Sequence, residues 1–263
     1  MFYFPQLWTG SIAQYPIQKR CVMRTIVNQA ADGNQYKLAD AKAEAVEWIL
    51  KFQTLTDAER DALISLYTDV EGIFGSFTFL DPADNLLVWS EDLTQNAWSH
   101  NSQLSVTTGV ADPNGGTSAN TITNGGAGAL AIEQTINGPG WFQYAFSLRA
   151  RSSQNIALTL VQSTASGSLS KSFNIGPNWT PLLLSGQLSG SDAAITFGIE
   201  APPGGSADLY GVQVEAQAGA SGYKMNTSAA GVYPQARFLD DALSITTDGP
   251  DQHSCQIRIH SQV

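Results

Sequence analysis

Charge is scarce in this sequence, and positive charge is scarcest. Of 263 residues 14% are Asp, Glu, Lys or Arg, and 13 Lys/Arg stand against 23 Asp/Glu, a formal net charge of −10. No basic stripe runs along the chain that would release counterions from a phosphate backbone, so nucleic acid is not an expected partner. Cysteine is almost absent. Cys21 and Cys255 are too few for a disulfide framework and lack metal-type spacing. Both are expected to be ordinary buried thiols; they fall in the first and last expected strands, where a neighbouring position in one sheet is open to them but not required. No apolar run approaches the roughly 20 residues of a membrane span, so no membrane insertion is expected. The opening MFYFPQLWTG is apolar but short, without a basic start or a small-residue cleavage site. The chain is therefore expected to be made and folded in a cytoplasm.

Catalytic signatures are missing as well. The three histidines, His100, His253 and His260, show no HExxH or other metal-binding spacing. Gly-x-Ser-x-Gly does not occur, and Asp112-Pro-Asn-Gly-Gly-Thr has the glycines of a phosphate loop without its lysine. The adjacent carboxylates Glu91-Asp92 and Asp240-Asp241 would point to opposite faces of a strand, so neither pair forms a glycosidase-like dyad. Binding and assembly, rather than catalysis, are the expected activities.

What the sequence does have is a change of composition in its middle. Met1 to Asp84 carries 7 Lys/Arg and 11 Asp/Glu, whereas the longer stretch Asn85 to Gln235 carries 4 and 8, and Ala236 to Val263 carries 2 and 4. The middle also holds 19 of the 24 glycines, as many short strands joined by tight turns require. The last 28 residues are too few for a core of their own and should pair with the first part. This predicts a discontinuous domain over 1–84 and 236–263, interrupted by a β-sandwich over 85–235.

Within the first part, Tyr15–Val27 reads as a strand leading to a hairpin turn at Asp32-Gly33. Alternation through 44–52 puts Val46, Trp48, Leu50 and Phe52 on one face; the alanine-rich 38–47 leaves a helix as the competing reading. Thr56-Asp-Ala-Glu59 has the form of a capping box, followed by Ala62, Leu63, Leu66, Tyr67 and Val70 at helical spacing, with Gly72 placed to end the helix. Gly75–Leu80 is a short alternating strand. In the middle, strands are expected at Gln103–Val110, Ala129–Ile136, Trp141–Arg151, Asn155–Gln162, Ser168–Asn174, Thr180–Leu188, Ala193–Glu200 and Ala207–Ala216, a sandwich or jelly roll. Arg237–Ile245 and Ser254–His260 close the chain. The fold class is mostly β: a barrel or sandwich domain with one helix, interrupted by an antiparallel jelly-roll sandwich.

Two stretches resemble known families. YPIQKR, RTIVN, WILKF, the helix LTDAERDALISLYTDVEG and the exit FGSFTFLDPADN, with Glu59, Gly72, Gly75, Phe77, Phe79, Asp81 and Pro82 in matching places, resemble the outer part of a tailed-phage distal tail or minor tail protein. FLDDALSITTDGPDQHSCQIRIH resembles the final hairpin of that domain, and together these flanks span about 110 residues. The stretch from NLLVWSEDLTQNAWSH to LYGVQVEAQAGASGYKMNTSAAGVYPQARF is similar to jelly-roll modules of phage tail and fibre proteins that resemble carbohydrate-binding modules, departing from them at Lys224-Met225 where a pair ending in proline is usual. The resemblance implies a structural subunit of a tail-tip ring, a homo-oligomer that is commonly sixfold, joining tail tube to tail-hub or tip proteins in a virion tail assembled in the host cytoplasm. It implies a peripheral module with a host cell-surface glycan as candidate ligand. A stand-alone lectin or adhesin, or a receptor-binding tail protein, is the alternative, and a polysaccharide depolymerase is a third reading.

For a sugar, the candidate stacking residues are Trp89, Trp179 and Tyr210, with Tyr223 similarly placed. The competing reading for these, and for Trp98 and Trp141, is core packing, since large aromatics are usually well buried. The jelly-roll resemblance also makes Glu91, Asp92 and Glu215 candidate ligands of a structural calcium between the opening segment and the last strand, with backbone carbonyls completing the shell.

Overall fold

The computed structural model describes residues 1–262, the side chains at 41 and 42 excepted. The chain opens with β1 (Gln18–Gln29), β2 (Gln35–Leu55), the helix α1 (Asp57–Asp69) and β3 (Phe77–Leu80). Ten strands follow: β4 (Ser99–His100), β5 (Leu104–Val110), β6 (Ala119–Asn124), β7 (Leu130–Ile136), β8 (Tyr144–Arg151), β9 (Ile156–Ser163), β10 (Ser168–Ile175), β11 (Thr180–Gly186), β12 (Ile195–Ala201) and β13 (Ser206–Glu215). The chain closes with β14 (Val232–Phe238), β15 (Ile245–Gly249) and β16 (Gln252–Gln262). Two compact units result, one of Met1–Leu7, Ala13–Phe79 and Tyr233–Val263, the other of Trp8–Ile12 and Leu80–Val232.

In the first unit the sheet order is β1-β2-β16-β14-β3, with β15 paired to β16. The period-2 pattern at 46–52 decides β2: Val46, Trp48, Leu50 and Phe52 are all buried, so the alanines before them lie in a strand and not in a helix. Trp48 and Phe79 approach to 4.9 Å between ring centroids, and Phe77 and Phe238 to 4.8 Å, which joins β2, β3 and β14 in one aromatic core. The capping box closes as its residues dictate: the Thr56 hydroxyl accepts from the Glu59 amide at 3.2 Å, and the Glu59 carboxylate accepts from the Thr56 amide at 2.8 Å. Leu63, Leu66 and Val70 face inward while Ala62 is exposed. Glu71 and Gly72 both take left-handed conformations, at φ 56° and 64°, to turn the chain out of the helix.

Several expectations for this unit are corrected. β3 is buried at all four positions instead of alternating. The strand expected over Arg237–Ile245 stops at Phe238, where Asp240 turns to pair with Arg258 and the Asp241 carboxylate accepts from the Ile73 amide at 3.4 Å. Cys21 is exposed and Cys255 only half-buried. They are not neighbours either, because Cys21 pairs with Val46 and Cys255 with Phe52 on opposite sides of β2. Burial pushes the Cys255 thiol up to about 11. Cys21 is exposed because β1 is an edge strand that meets solvent along nearly all its length; farther out, Met23, Ile26, Val27, Tyr36 and Leu38 are exposed as well.

The second unit is a sandwich of two antiparallel sheets, β10-β9-β12-β7-β4 and β11-β8-β13-β6-β5. Tyr144 and Phe146 of β8 each pack edge-on against Phe197 of β12 at 5.5 Å, filling the space between the sheets. β6 was not foreseen, and the reason is chemical. Its inward residues include Asn120 and Asn124, whose amides serve backbone groups: Asn120 accepts from Leu93 at 3.2 Å and donates to Glu91, and Asn124 donates to Gly128 and Ala201 at 2.9 Å.

The opening and closing segments of the sandwich meet at Asn85, which is fully buried. Its side-chain amide donates to the Val212 carbonyl at 2.9 Å, and its side-chain oxygen accepts from the amides of Val214 at 3.0 Å and Leu87 at 3.1 Å. Asn226 donates in turn to the Asn85 carbonyl at 2.6 Å. Truncating Asn85 would strip partners from three buried backbone groups at once, each an unmet desolvation penalty. Asn85→Ala is therefore expected to destabilise the chain by about 3 kcal/mol or more, read as a lower urea midpoint; an unchanged midpoint would contradict the clamp.

Candidate functional site

Alternation along β8, in the sequence Tyr-Ala-Phe-Ser-Leu-Arg-Ala-Arg, sends Phe146, Leu148 and Ala150 into the core and Ser147, Arg149 and Arg151 outward. Register fixes what flanks them. Arg149 lies opposite Pro181 of β11 on one side and Tyr210 of β13 on the other, Ser147 opposite Leu183 and Gln213, and Arg151 opposite Asp208. Tyr210 and Gln213 share this face despite an odd separation because the ladder shifts register between them, at a bulge containing Gly211 with φ 68°.

A cleft of about 710 Å³ opens on this outer face. Its floor is formed by Ser147, Arg149 and Leu183, and its walls by Asn114, Tyr210 and Tyr223. Tyr210 and Tyr223 meet edge to face at 5.5 Å, and Trp179 continues the row, edge-on to Tyr210 at 6.4 Å. Each ring is held. The Arg151 guanidinium lies over Trp179 at 4.7 Å while its Nε donates to Asp208 at 2.9 Å. Asn114 Nδ2 donates to the Tyr210 hydroxyl at 2.8 Å, and the Tyr223 hydroxyl bonds Ser90 Oγ at 2.8 Å. Gly211 is required beneath Tyr223: its φ is positive, and a Cβ there would stand 3.3 Å from the tyrosine ring.

The loop that carries Tyr223 is anchored by a buried carboxylate. Glu215, 1% exposed, accepts from Lys224 Nζ at 2.6 Å, Ser221 Oγ at 2.6 Å, the Ser221 amide at 2.8 Å and Gln213 Nε2 at 2.9 Å. Gln213 Oε1 accepts from the Lys224 amide at 2.7 Å. Lys224, the point at which the sequence departs from the module pattern, is the counter-ion of this carboxylate.

The expected site residues separate accordingly. Trp179 and Tyr210 stand together, Tyr210 lining the cleft with Tyr223 and Trp179 beside it. Trp89 does not: it sits in a tight turn at φ 52°, its carbonyl accepting from Trp98 Nε1 at 3.1 Å. Trp98 is core, whereas Trp141 is exposed. No group of three His, Cys, Asp or Glu side chains among the described residues, Glu91, Asp92 and Glu215 included, is placed to hold a metal ion. Glu215 is occupied as above, and Asp92 accepts from Thr94 at 2.5 Å and Gln95 at 2.7 Å, bonds that hold its carboxyl below the usual range. Arg149, Gln213 and Asn114 went unforeseen. The signal for Arg149 was present, two arginines alternating with apolar residues in a strand; for Gln213 it was hidden by the bulge.

No family model matches the chain, and no curated protein matches it. Among solved structures, the enzymatically active domain of tailspike protein 4 from bacteriophage CBA120 aligns with 52% of this chain and 22% of its own, at 14% identity and a TM-score of 0.41. TmCBM61, solved with β-1,4-galactotriose, aligns over 45% of this chain and 88% of its own, at 13% identity and a TM-score of 0.35. The CBM22-1 xylan-binding domain of Paenibacillus barcinonensis Xyn10C aligns over 48% and 89%, at 8% identity and a TM-score of 0.38. The chain thus spans about a fifth of the tailspike domain, and likenesses at these scores assign no function to it.

Burial raises the Tyr223 hydroxyl well above the ordinary tyrosine range, with nearby Glu91 and Tyr210 adding to the rise and the Ser90 bond opposing it. Tyr210 is raised too, by burial and then by the charges of Asp112 and Glu91. The folded state holds these protons more tightly than the unfolded one, so stability falls as pH rises through about 10 and beyond. Tyr223→Phe is expected to flatten that fall by up to about 1 kcal/mol per pH unit, measured from urea midpoints between pH 9.5 and 11; equal slopes would place Tyr223 in solvent.

Proposed function

We propose that the sandwich unit is a glycan-binding module whose binding surface is the outer face of β11, β8 and β13. The observation that carries this reading is the row Trp179, Tyr210 and Tyr223, fixed by neighbours and bordering a cleft with polar groups on its floor. An aromatic face takes the apolar side of a pyranose, and Asn114 and Ser147 offer the directional polar contacts that set its orientation. On this reading the site works by binding: Glu215, a buried carboxylate beside the cleft, is tied to Lys224 and Ser221, and among the described residues the cleft lining carries no carboxylate.

One observation supports a wider role for the whole chain. The outer half of the β1–β2 hairpin exposes five large apolar side chains, and among the described residues β1 is an edge strand. Such an arm is suited to pairing with a neighbouring subunit by strand addition. On this reading the flanking unit assembles into a closed ring at a phage tail tip, between tail tube and tip proteins, and the sandwich serves as its peripheral glycan-binding module in the virion.

Two measurements separate the roles. On a printed array of bacterial surface polysaccharides the full chain should bind at least one glycan, with Tyr210→Ala weakening that binding by about 2 kcal/mol, or about 30-fold; no binding to any polysaccharide would overturn the module reading. For assembly, light scattering after size exclusion should show oligomers that are lost when residues 25–39 are replaced by a two-residue turn, while glycan binding persists. A wild-type chain that is monomeric at every concentration would overturn the ring.

A further inference from the structure

The sandwich stretch from Asn85 to Gln235 contains only four basic residues, Arg149, Arg151, Lys171 and Lys224, against eight acids. Three of the four are engaged. Arg151 pairs with Asp208 and lies over Trp179, Lys224 pairs with Glu215, and Lys171 lies over Phe173 at 4.9 Å and donates to the Leu183 carbonyl. Arg149 is different. Among the described residues it has neither an ion pair nor a hydrogen-bond partner, it is exposed, and it stands on the floor of the cleft between Pro181 and Tyr210. The acids nearest that end are turned elsewhere: Asp112 accepts from the amides of Asn114, Gly116 and Ser118, at 2.7 to 3.1 Å, and Glu91 lies toward the Tyr223 hydroxyl.

We propose that the cleft selects an acidic glycan, one whose sugars carry carboxylates, and that Arg149 is the residue that reads the charge. This rests on the glycan-binding reading and narrows it. A guanidinium offers five N–H donors and no acceptor, in a fork that matches a carboxylate. A neutral sugar laid over Arg149 would take it out of water without supplying a counter-charge, and that desolvation opposes binding. A uronate ring satisfies both demands, its face against Tyr210 and its carboxylate on the guanidinium two strand positions from the hydroxyl of Ser147. The surrounding charge sharpens the selection, since a net charge of −10 opposes polyanion binding that an unpaired cation does not offset.

Affinity electrophoresis tests this with the full chain run in native gels containing polygalacturonate, alginate or hyaluronate, and in parallel gels containing galactan, mannan or fully methyl-esterified pectin. Retardation is expected in at least one acidic gel, reduced by salt and absent from the neutral gels, the methyl ester included where polygalacturonate is the retarding polymer. Arg149→Gln should weaken it by about 10- to 100-fold, and Arg149→Lys, which keeps the charge without the fork, by less. Both variants replace an exposed side chain, so unchanged urea midpoints should accompany the loss. Equal retardation by neutral and acidic polymers, indifferent to Arg149→Gln, would overturn the charge selection and leave glycan binding standing; retardation in none of the gels would overturn both.

Discussion

The second unit depends on a single buried amide. Asn85 ties the segment that enters the sandwich to its last strand, β13, bonding Val212 within the bulge and Val214 just beyond it. Because its partners are backbone groups shielded from water, no other side chain of similar size could replace all three bonds. Everything at the cleft follows from where that bulge is held. It brings Tyr210 and Gln213 to one face, places Gly211 under the Tyr223 ring, and sets the start of the loop that Glu215 and Lys224 then tie down.

The same constraint explains why an aromatic surface is exposed to solvent without collapsing onto itself. Trp179, Tyr210 and Tyr223 lie edge to face and not stacked, with Arg151, Asn114 and Ser90 holding them from behind. A face organised in advance loses less side-chain freedom on binding than a mobile one. Its charge is organised too: the ion pairs of Arg151 and Lys224 are spent on architecture, which leaves Arg149, among the described residues of the sandwich, as the cation without an ion pair on this face.

Local chemistry was legible in the sequence, and non-local chemistry was not. The capping box at Thr56 and Glu59, the alternation from Val46 to Phe52 and eight strands of the sandwich could be read because each depends on residues a few positions apart. β6 escaped because its buried face carries asparagines that serve distant backbone carbonyls, and the end of β14 was misplaced because Asp240 answers to Arg258 across the chain. At the site, Trp179 and Tyr210 could be named as candidates, but nothing in their neighbourhoods distinguished them from Trp89, whose carbonyl is engaged by Trp98. Gln213 reaches the face of Tyr210 only through a bulge, which breaks the period of two and has no local signature in the sequence. Cys21 was misjudged as buried because nothing local marks β1 as an edge strand exposed along nearly all its length.

The central claim is that ligand binds on the outer face of β11, β8 and β13. Backbone amide NMR shifts during titration with oligosaccharides of galacturonic, mannuronic and glucuronic acid test it most directly. Changes concentrated at Asn114, Arg149, Tyr210, Gly211 and Tyr223, with the strands β9 and β10 of the opposite sheet unmoved, are the expected result. Changes centred on that opposite sheet, or none with any of the three acids, would contradict it.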